Sequence, residues 1–83
     1  MDTRTLVVGQ RVVMVSGDDG PYGCDGRVVE VTDSGVTVQT FACTTRVPTE
    51  LLRFDSNGKG LDRGTYECGP WHIARTLTEG EVW

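Results

Sequence analysis

The sequence predicts an all-β fold, a small barrel of about five short antiparallel strands. Three observations point there. Apolar residues, many of them valine, alternate at a period of two over short runs, as strands require. Eleven glycines punctuate the chain between those runs. No segment sustains the 3.6-residue spacing of an amphipathic helix. The 83 residues suffice for one domain, taken as residues 1–83. Closing the sheet on itself removes edges that so valine-rich a chain would otherwise have to protect.

The first strand is expected over residues 10–15. Val12 and Met14 face one way, Val13 and Val15 the other, so both faces must be covered. Residues 17–26 follow, with glycine at every third position. That recurrence predicts a long surface loop. The second strand is expected over 27–32 and the third over 36–41. Asp33-Ser34-Gly35 joins them as a hairpin loop ending in a glycine bulge. Val36 and Val38 share a face, whereas Phe41 and Cys43 fall on the other, which places a bulge near Thr40. Pro48 breaks the ladder, and a fourth strand is expected within 49–54, preceded by a helical turn. A turn centred on Asn57-Gly58, a return arm over 61–68 and a last strand over 71–74 complete the pattern. The tail, 76–83, either frays in solvent or pins Val82 and Trp83 to the barrel.

Three runs carry a family likeness. They are residues 8–17, VGQRVVMVSG; residues 20–23, GPYG; and residues 26–31, GRVVEV. A strand leads into a glycine-bearing loop, and a second strand starts after a glycine. This pattern resembles the opening of Src-homology-3-like (SH3-like) small barrels, and is most similar to the KOW-motif group of ribosomal and transcription-elongation proteins. It covers residues 8–40. The resemblance implies an SH3-like barrel and an RNA- or ribosome-associated role. KOW loops usually carry lysines and arginines, whereas this one carries Asp18, Asp19 and Asp25.

Charge shapes the expected partner. The chain carries a net charge of −4 with twelve acidic residues. Such a surface repels phosphate backbones unless its basic residues segregate onto one face. The N-terminus lacks the apolar run of a signal peptide, and no stretch approaches the ~20 apolar residues of a membrane span. Three widely spaced cysteines fit a reducing, cytoplasmic setting better than a disulfide framework.

Candidate chemistries are weak. Cys68 and His72 lie four residues apart, about 13 Å in an extended segment, too far for a nucleophile and its base. Cys24, Cys43, Cys68 and His72 have zinc-ligand chemistry without the close ligand pairs of structural sites, so they read as buried thiols and a core or rim histidine. Asp55, Asn57 and Lys59 imitate the start of a calcium loop, but the twelfth position is Tyr66, not glutamate. Residues 17–26 lack the lysine and following helix of a phosphate loop. No catalytic residue, cofactor or metal is therefore expected. Of the aromatics, Phe41, Phe54 and Trp71 read as core, leaving Tyr22, between Pro21 and Gly23, as the exposed one. The sequence thus predicts a non-catalytic module that binds a protein or peptide, basic ones included, through Asp18, Asp19, Tyr22 and Asp25.

Overall fold

Valine-rich alternation and tight hairpins do produce an all-β molecule. A computed structural model describes residues 6–16, 22–41, 43–54, 62–63 and 70–82. β1 (Arg11–Ser16) pairs antiparallel with β2 (Tyr22–Thr32), which turns into β3 (Gly35–Gln39) and then β4 (Thr44–Pro48). A single 3-10 turn, Thr49–Leu51, follows. β5 (Asp62–Arg63) pairs with the start of β2 in parallel, and β6 (Trp71–Leu77) returns beside β1. The sheet order is β4-β3-β2-β1-β6. Its two ends come into contact, curling the sheet into a barrel-like globule of 29 × 27 × 26 Å. No helix among the described residues is long and apolar enough to cross a membrane.

The inner face is the core. Val12, Met14, Cys24, Val28, Val36, Val38, Val47, Trp71 and Ile73 form one buried cluster, with Leu6 closing it. Each fully buried aliphatic side chain stabilises the fold by about 1.5–3 kcal/mol. β1 is the innermost strand. Val13 and Val15, on its other face, are also buried, as two-sided apolar patterning requires. Two register shifts bend the sheet. One lies at Val29 on β2, opposite β3, and one lies where β6 passes Val13 and Met14. Bulges of this kind let a sheet close. Near Thr40, where a bulge was expected, the chain instead leaves β3 in a turn to Cys43, which accounts for the change of face after Val38.

The molecule departs from the pattern its sequence suggests at several places. Residues 22–26 are strand, not loop: Val12 pairs with Gly26, Met14 with Cys24 and Val15 with Gly23. A Cβ at position 26 would stand 2.5 Å from Val38 Cγ1 and 2.9 Å from the Gln39 carbonyl oxygen. This glycine marks a close approach of β3 rather than a turn. The fourth strand precedes Pro48 instead of following it. β4 ends the sheet order, where a proline lacking its N–H is tolerated. Residues 52–54 serve instead as a short strap on β6, with Arg53 N and Phe54 N both donating to the Ile73 carbonyl. The β2–β3 loop is Asp33-Ser34, and Gly35 already belongs to β3. Phe41 is 70% exposed rather than core, while Tyr22 is half-buried and packed on the core. Thr76 and Leu77 belong to β6, and Val82 is 92% exposed. The Asn57-Gly58 turn, Tyr66, Cys68 and Trp83 lie outside the described residues.

Candidate functional site

Strand alternation sends every second side chain of β1, β2 and β3 to the outer face. The register then aligns them. Arg11 on β1 lies directly opposite Arg27 on β2, and Arg27 directly opposite Gln39 on β3. Asp25, two residues before Arg27, shares that face, and its Oδ2 lies 3.8 Å from Arg11 Nη2. Just past β3 the chain makes a tight turn. Thr40 N donates to the Cys43 carbonyl at 2.8 Å, and Cys43 N donates back to Thr40 Oγ1 at 3.1 Å. Phe41, within this turn, is exposed. Arg11, Asp25, Gly26, Arg27, Gln39, Thr40 and Phe41 together line an open cleft of about 400 Å³.

The arginines are tied to fixed acceptors. Arg11 Nη1 donates to the carbonyls of Thr78 at 2.9 Å and Glu81 at 2.8 Å. Arg27 Nη1 donates to the Gly9 carbonyl and to Glu79 Oε2, both at 2.8 Å. Arg75, on β6, pairs with the Glu81 carboxylate. The hydrogen bond and charge of Arg27 hold the Glu79 carboxyl below the usual glutamate range. Glu81 is also lowered. The Thr78 backbone N–H is the largest cause and Arg75 adds to it, against the opposing effect of partial burial. Two other open clefts border the sheet. One, of about 540 Å³, runs between Val7, Val8 and the end of β6; the other, of about 190 Å³, lies between Val31 and Leu52. Neither presents an aromatic or a pair of cations.

The structure divides the residues that the sequence grouped. Asp25 lies in the cleft. Tyr22 begins β2 on the core side, its N–H donating to Ser16 Oγ at 3.3 Å. Asp18 and Asp19 lie outside the described residues. Arg11, Arg27, Gln39 and Thr40 were missed by the sequence reading. Their signal was present as the polar positions that alternate with Val12, Val28 and Val38. Phe41 was assigned to the core because its own strand was extended through it, whereas β3 ends at Gln39. Cys24 is buried in the core as expected, whereas Cys43, expected to be a buried thiol, is exposed because it closes the turn just past β3. Among the described residues, no group of three or more histidines, cysteines or carboxylates is placed to hold a metal ion.

No protein family, curated protein or solved structure matches this chain.

Proposed function

We propose that this chain is a non-catalytic interaction module that binds a protein or peptide partner across the cleft on the outer face of β1, β2 and β3. The observation that carries this reading is Phe41, 70% exposed and lining the same cleft as Arg11, Arg27 and Gln39. An exposed aromatic on a tight turn offers apolar contact area at small ordering cost. Arginine beside it supplies directional donors, the combination enriched at the centres of protein interfaces. Asp25 stands in the cleft next to Arg11, so the cleft offers a partner one carboxylate beside two guanidinium groups.

Selection of a peptide display library on the domain tests this reading. Peptides that bind the natural chain should fail on Phe41→Ala while the melting temperature is unchanged. Equal recovery on a folded Phe41→Ala domain would remove the cleft from the function. A KOW-like RNA- or ribosome-associated role is the alternative, and it draws on the same two arginines. A salt-sensitive complex with single-stranded RNA, tighter than about 1 μM, would favour it over the peptide reading.

A further inference from the structure

Arg11 and Arg27 stand directly opposite each other on neighbouring strands. Like charges in that position destabilise a sheet. The chain answers with its own C-terminal turn. Arg11 takes the carbonyls of Thr78 and Glu81, Arg27 takes the Glu79 carboxylate, and Arg75 takes the Glu81 carboxylate. The turn is also braced internally. Glu81 N donates to the Thr78 carbonyl at 3.1 Å, and Thr78 N donates to Glu81 Oε1 at 3.0 Å. Almost no apolar burial holds it there. Thr78, Glu79 and Gly80 are exposed, Glu81 is half-buried, and Val82 is 92% exposed. The turn therefore sits on the arginines as a small acidic peptide would.

We propose that residues 78–81 are a built-in acidic ligand of the Arg11–Arg27–Arg75 cluster, and that this site takes an acidic peptide from a partner when the turn is displaced. This proposal rests on the interaction-module reading and names its ligand: a segment with two carboxylates separated by one residue. The Arg27–Glu79 pair is exposed and the Arg75–Glu81 pair only half-buried, and ion pairs that water reaches are individually weak and screened by salt, so the turn is displaceable. Its direct continuation from β6 gives it a high effective concentration, so it competes well with a free peptide of equal chemistry. A partner bearing an apolar residue next to its carboxylates reaches Phe41 as well, which the turn itself does not line.

The test titrates a fluorescent peptide of the turn's own sequence, Thr-Glu-Gly-Glu-Val, into the full chain and into its Glu79→Gln/Glu81→Gln variant. The variant should bind at least about tenfold more tightly, because its tethered competitor is weakened. Raising the salt to about 0.5 M should remove most of that gain. Adding Arg11→Gln and Arg27→Gln should abolish it. A folded variant that binds no more tightly than the natural chain would overturn the proposal. So would loss of β-sheet circular dichroism both in that variant and in a chain ending at Leu77, since the turn would then be a structural clasp. If the peptide binding behaves as expected but Phe41→Ala abolishes no display-selected binder, the tail device stands and the cleft reading falls.

Discussion

On the inner face of β1, β2 and β3, Val12, Met14, Cys24, Val28, Val36 and Val38 are each no more than 2% exposed. On the outer face of the same strands stand Arg11, Asp25, Arg27 and Gln39, with Phe41 at the end of the row. The inner face is held by shape. Most of its side chains are branched valines, and at Gly26 there is no room for even a methyl group. Where the arginines stand, the outer face is held by pairing, through guanidinium bonds to carbonyls and carboxylates that water can replace, whereas Val13 and Val15 farther along β1 are buried on that same face. The difference teaches that recognition is concentrated at the arginine end of the outer face, apart from the core cluster. A change in the Phe41 cleft should leave the core intact, and a change in the core cluster should leave the cleft's chemistry intact.

The sharpest way to break that division is at Gly35. Its φ is +150°, and a Cβ there would stand 2.2 Å from the Val47 carbonyl oxygen and 2.8 Å from Pro48 Cα. Both obstacles are backbone, so the strand pair must move. Gly35→Ala should cost about 4 kcal/mol, strain and overpacking together, read by urea unfolding. A loss under about 1 kcal/mol would mean that β3 and β4 shift freely.

Tyr22→Ala comes next. The ring is half-buried against the core, so its removal should cost about 1–2 kcal/mol, and binding of display-selected peptides should be unchanged. Weakened binding at unchanged stability would return Tyr22 to the partner surface and reverse the assignment of faces.

Acid should loosen the outer face first. Glu79 and Glu81 both have lowered folded-state pKa values. A lowered carboxylate contributes stability that is fully present above the unfolded value, about 4.3, and is lost as pH falls through the lower folded value. Melting curves below about pH 4 should therefore fall less steeply for Glu79→Gln/Glu81→Gln than for the natural chain. Identical acid profiles would mean that the arginine contacts contribute nothing to the folded state.

The smallest effect on stability is expected at Phe41. Its ring is exposed and outside the core cluster, so Phe41→Ala should change unfolding free energy by less than about 0.5 kcal/mol.

The inner face was the legible one. Val12, Met14, Val36 and Val38 report their burial through spacing alone, and so does the two-sided covering of β1. Asp33-Ser34 marked its hairpin because turn residues act locally. The start of β2 was not legible in the same way. Gly23 and Gly26 look identical in sequence to turn glycines, and only the approach of β3 to Gly26 shows that the absent side chain makes room for a neighbour. The cleft was illegible for a related reason. Arg11, Arg27 and Gln39 are scattered in sequence and become one row only through register, which depends on the pairing of three strands. The C-terminal turn joins them through contacts spanning most of the chain.

Backbone amide NMR shifts recorded during titration with a display-selected peptide test the separation of faces most directly. Shifts should concentrate at Arg27, Gln39, Thr40 and Phe41, with the inner-face amides of Val36 and Val47 unmoved. Shifts centred instead on Val7, Val8 and Thr76, or on Val31 and Leu52, would place the partner in another cleft and contradict the account.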